Sequence, residues 1–66
     1  MQIDLNEKEK DLHHDINATI SSLLIAMELI KDEWKRSPEL VDKIIPLTAD
    51  KIELLSAQVK EYRNLL

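Results

Sequence analysis

The sequence predicts an all-α fold, an antiparallel helical hairpin that dimerises into a four-helix bundle. Three observations carry that expectation. Glycine is absent and Leu, Ile, Glu, Lys, Asp and Ala dominate the 66 residues, which favours long helices over strands with their turn residues. Two stretches repeat apolar residues at alternating spacings of three and four, the mark of a helix with one buried stripe. Between them stands Ser37-Pro38, a helix-start signal that leaves only a short link, and short links join antiparallel neighbours.

Met1 to Lys10 is rich in alternating charge, with Ile3 and Leu5 as its apolar anchors after Met1. Asp4 or Asn6 is the candidate cap for a first helix spanning about residues 5–35. From His13 the pattern is regular: His13, Ile16, Ile20, Leu23, Met27, Ile30 and Trp34 form a heptad seam over three repeats. Leu12, Leu24, Ile25 and Leu29 widen the stripe, as in a helix with more than one neighbour. The lone Trp34 is read as the closing residue at one end of the core.

Lys35 and Arg36 suit the C-terminus of the first helix, and the turn is placed at about residues 36–37. Ser37 is then the N-cap of a second helix, about residues 38–65, with Pro38 at its first position and Glu39 complementing its dipole. Its seam is Val41, Ile45, Thr48, Ile52, Leu55, Val59, Tyr62 and Leu66. Pro46 interrupts this helix, at a cost of about 3 kcal/mol if the helix stays continuous. Because the seam keeps phase across Pro46, a kink near residue 46 is expected; the competing reading restarts the helix with Thr48 as N-cap. Folding about the turn sets Met27 near Pro46, Ile20 near Ile52 and His13 near Val59.

A single unit of this size has a marginal core without disulfides, metal or oligomerisation. With no cysteine, disulfides and thiolate metal sites are excluded, and a homodimer is the expected remedy. The formal net charge of −4 argues against nucleic acid, whose phosphate backbone needs a basic face. The run Ile16–Met27 has no charged residue in a chain that is 33% charged, yet it is shorter than the roughly 20 residues a bilayer span requires. The polar N-terminus lacks the pattern of a signal peptide, so no membrane contact and a cytoplasmic location are expected.

The chemistry-bearing residues stand on the rim of that uncharged run: Leu12-His13-His14-Asp15-Ile16-Asn17. Neutral imidazole has one nitrogen free to attack an electrophile while the other carries a proton, and a neighbouring carboxylate accepts a hydrogen bond from that N–H. His14 is the candidate nucleophile and Asp15 the base that orients it and steadies its developing positive charge. His13 lies on the seam and is read as a packed residue rather than a second acceptor. Adjacent histidines project about 100° apart on a helix, so the pair is not read as a metal chelate.

The stretch Leu12-His13-His14-Asp15-Ile16-Asn17-Ala18-Thr19-Ile20 resembles the H-box of the dimerisation and histidine-phosphotransfer domain of bacterial sensor histidine kinases. His14 takes the phosphoacceptor place, Asp15 the acidic place, Ile16 and Ile20 the apolar places, and Asn17 the basic or amide place, where it is a possible support. The resemblance extends over nearly the whole chain, as a hairpin with the histidine toward its open end. It implies a phosphoacceptor module of a two-component system, relaying phosphate from ATP through His14 to an aspartate on a response-regulator receiver domain. ATP and magnesium would be held by a separate kinase ATP-binding domain, for the chain has no glycine-rich phosphate loop and is not expected to be active alone.

Two positions depart from the family pattern. Ala18 stands where Thr or Asn is usual and offers no group to orient the water that hydrolyses a partner's phosphoryl group, and Asn17 lies about 100° away around the helix. Thr19 stands where Pro is usual, which predicts a straighter first helix. Ala18, Ser21 and Ser22 are small, which suits either a docking helix or close helix packing. The contrasting expectation is a purely structural hairpin for oligomerisation in which the histidines are incidental.

Overall fold

A computed structural model describes residues 5–66 as two helices, α1 (Leu5–Glu33) and α2 (Pro38–Leu65). They pack side by side into a rod of 53 × 18 × 14 Å. Asp4 lies outside the described residues, and Asn6 sits within α1 rather than at a cap position. Among the described residues no helix is long and apolar enough to cross a membrane.

The reversal occupies Trp34 to Ser37. The Trp34 N–H donates to the Ile30 carbonyl at 2.9 Å and the Ser37 N–H to the Glu33 carbonyl at 2.7 Å, which satisfies the last turn of α1 from within the link. Ser37 holds the N-cap position, but its side chain makes no capping hydrogen bond. Its carbonyl instead accepts from Leu40 N–H at 3.0 Å and Val41 N–H at 3.2 Å. Trp34 is not a core residue of the hairpin: it is 56% exposed, with the Lys35 ammonium 4.9 Å from its ring centre. Arg36 pairs with Glu33 at 2.7 Å, an exposed ion pair of small energetic weight.

α2 runs unbroken through Pro46, as the seam that keeps phase across it predicts, which excludes the competing reading of a restart at Thr48. The Thr48 hydroxyl donates back to the Ile44 carbonyl at 2.9 Å, a bond made inside a helix and not by a cap. Pro46 and Asp42 are both exposed, which leaves water to serve the Asp42 carbonyl that the proline ring cannot.

The packed seam differs from the expected one at every second position. Ile16, Leu23 and Ile30 in α1, with Val41, Thr48, Leu55 and Tyr62 in α2, turn inward as the spacing predicts. The alternating places are filled by Leu12, Thr19 and Ala26 against Ile44, Lys51, Gln58 and Leu65, whereas His13, Ile20, Met27, Trp34, Ile45, Ile52, Val59 and Leu66 are exposed. The hairpin thus encloses the more polar of two overlapping seams and leaves the more apolar one open. Full burial of a Leu or Ile is worth about 1.5–3 kcal/mol. Half of that forgone at each of these apolar positions matches the whole stability of a small domain, about 5–15 kcal/mol.

Candidate functional site

His14 is exposed on α1. Leu12 and Ile16, which face α2, lie two residues to either side, so the imidazole projects roughly 160° from each of them. The site therefore sits on the back of the helix, held in place by the burial of its neighbours. Asp15 and Asn17 are also exposed, Asn17 one turn beyond His14 on the same side. No hydrogen bond joins His14 to Asp15 among the described residues, because consecutive side chains on a helix diverge. Ala18 is exposed as well.

His13 is not packed in the hairpin as expected. It is exposed, because the seam passes through Leu12 and turns the next residue about 100° away. Its ring lies 6.2 Å from that of Tyr62, tilted by 35°. Its neighbour across the hairpin is thus Tyr62, three residues past the Val59 expected there.

Two residues of α2 that the sequence pattern did not single out for the site bond the inner face of α1, one on each side of His14 along the helix. The Thr19 hydroxyl lies 2.8 Å from Gln58 Oε1 and 3.0 Å from the Asp15 carbonyl, and its one hydrogen serves both acceptors. Thr19 is 7% exposed, so this bond satisfies a polar group that burial would otherwise penalise by about 1–3 kcal/mol. On the other side of His14, the Tyr62 hydroxyl donates to Glu9 Oε1 at 3.1 Å. That bond, then the carboxylate's charge and a little desolvation, raise the Tyr62 pKa above its ordinary 10.0.

The described surface has shallow hollows of about 480 Å³ by the turn, around Arg36, Pro38 and Lys43, and about 420 Å³ on α2, around Ile52, Val59 and Arg63. Neither contains His14. Among the described residues no three His, Asp or Glu side chains are grouped to hold a metal ion. The arrangement offers an open imidazole beside a carboxylate, accessible to a large partner rather than enclosed for a small substrate. Compared with known families, characterised proteins and solved structures, the chain matches no family model, no characterised protein and no solved structure.

Proposed function

We propose that the chain is a dimerisation and phosphoacceptor module of a two-component sensor histidine kinase. The observation that carries the reading is the outward position of His14 with Asp15 beside it, on a hairpin whose more apolar seam is open for a second copy. In that role a neutral His14 nitrogen attacks the terminal phosphorus of ATP held by a separate catalytic domain. A nitrogen–phosphorus bond forms, the bond to the bridging oxygen breaks, and its electron pair leaves with ADP. Asp15 swings to accept the hydrogen bond of the other ring nitrogen as the ring becomes cationic. A receiver-domain aspartate then takes the phosphoryl group from His14. An exposed acceptor suits this chemistry, in which positioning and charge do most of the work and two different domains must reach one atom.

The dimer is supported by the open seam of Ile20, Met27, Ile45, Ile52 and Val59, which a second hairpin covers in a four-helix bundle. A purely structural oligomerisation module uses the same seam but gives His14 no task. Incubation with ATP and a histidine-kinase catalytic domain separates the two: acid-labile, base-stable label on His14 supports phosphotransfer. An unlabelled, folded dimer leaves the structural module.

A further inference from the structure

Two seams compete on each helix. They share Ile16, Leu23 and Ile30 on α1 and Val41, Thr48, Leu55 and Tyr62 on α2. They differ in which residue fills the alternating place: Leu12, Thr19 and Ala26 or His13, Ile20 and Met27 on α1, and Ile44, Lys51 and Gln58 or Ile45, Ile52 and Val59 on α2. Exchanging one set for the other needs a rotation of each helix by about 50°, half the angle between consecutive residues. Hydrophobic burial alone favours the exchange, since the second set holds Ile20, Met27, Ile52 and Val59 where the first holds Thr19, Ala26, Lys51 and Gln58, against the single loss of Leu12 for His13. The hairpin nevertheless adopts the first.

Thr19 and Gln58 supply a reason. Their hydrogen bond, 2.8 Å long and 39 residues apart in sequence, exists only when both face inward, and Thr19 is buried at that place. Directional polar pairs inside an otherwise permissive seam discriminate between packings that apolar contacts leave nearly equivalent. The same hydroxyl touches the Asp15 carbonyl at 3.0 Å, which links the pair to the turn carrying His14. Rotation would break the bond and swing His14 about 50° off the outermost line of α1.

We propose that Thr19 and Gln58 are a positioning pair, holding α1 at the rotation that turns His14 outward and leaves the more apolar seam on the open face. The bearing on His14 rests on the phosphoacceptor reading; the choice of seam does not. Ala18 and Ala57 are exposed on the two helices near the level of the pair, and the chain has no cysteine. Nitroxide labels on Ala18→Cys and Ala57→Cys, diluted with unlabelled chain, therefore report rotation by pulsed dipolar spectroscopy. The expected result is one distance in the parent and in Thr19→Ser. A second, longer distance is expected in Thr19→Val, which keeps the shape without the hydroxyl, and in Gln58→Met. Parent distances retained in both the Val and Met variants, or a Ser variant that behaves like Val, overturn the pair. Without the labels, Thr19→Val should lose on the order of 10²-fold in His14 phosphorylation, with Thr19→Ser restoring it. A shifted distance with an unchanged rate removes the role toward His14. A parent that never labels at His14 defeats the phosphoacceptor reading, and the distances still decide the pair.

Discussion

Tyr62 and Glu9 are 53 residues apart in sequence and joined by a 3.1 Å hydrogen bond across the open end of the hairpin. The tyrosine donates only while protonated. Its pKa in the folded chain is raised, so the bond's stabilisation is fully present below pH 10 and fades as pH climbs through the raised value. Thermal midpoints should fall with rising pH across that alkaline window in the parent. In Tyr62→Phe this part of the decline should vanish; an equal decline in both proteins would assign it to other groups.

The open seam makes the effect of an acidic substitution depend on assembly. Ile52 is 54% exposed in the single hairpin, where Ile52→Asp would cost only about 1 kcal/mol. In a dimer the same change buries an unpaired charge at a cost of several kcal/mol. Sedimentation at micromolar concentration should therefore find the parent dimeric and Ile52→Asp monomeric. A parent that sediments as a folded monomer would show that the seam has no second copy upon it.

For the acceptor, His14→Gln should abolish labelling by a supplied catalytic domain, while His13→Gln, at an exposed position outside the packed seam of the hairpin, should retain most of it. Asp15→Asn should leave the melting transition nearly unchanged and slow labelling by roughly 10²-fold, the scale of a positioned acid or base. Wild-type rates in Asp15→Asn would deny the carboxylate its part. Label lost from His13→Gln but kept by His14→Gln would move the acceptor by one residue.

Pro46 lies within a continuous α2 and is exposed, so its replacement removes backbone strain without opening a cavity. Pro46→Ala should stabilise the chain by about 1–3 kcal/mol. In a domain this small each kcal/mol is worth about 4–8 °C in the thermal midpoint. A midpoint that does not rise would mean that the missing hydrogen bond at Pro46 costs the helix nothing.

The two helices and their link were legible because local signals agree: no glycine, a sustained heptad spacing, and Ser37-Pro38 at the reversal. The side of the stripe turned inward was not. Hydrophobicity favours the seam through Ile20, Met27, Ile52 and Val59, and a stripe this wide does not record which part faces the same chain. Thr19 and Gln58 carried a signal of their own, since Thr19 lies three residues after Ile16 and four before Leu23, in phase with a core. Glu9 likewise lies seven residues before Ile16, in phase with the seam that brings it to Tyr62. His14 was legible as a candidate acceptor from its motif, but its outward direction follows only once Leu12 and Ile16 are known to face α2.

The shared positions of the two seams separate what substitution can change. Ile16, Leu23, Val41 and Leu55 belong to both packings, so a change there is felt by the fold and by any assembly at once. Ile20, Met27, Ile45 and Ile52 belong to the open face alone. Recognition between chains can drift at these outer places while the hairpin stays intact, so copies of one gene can diverge into modules that no longer pair with each other.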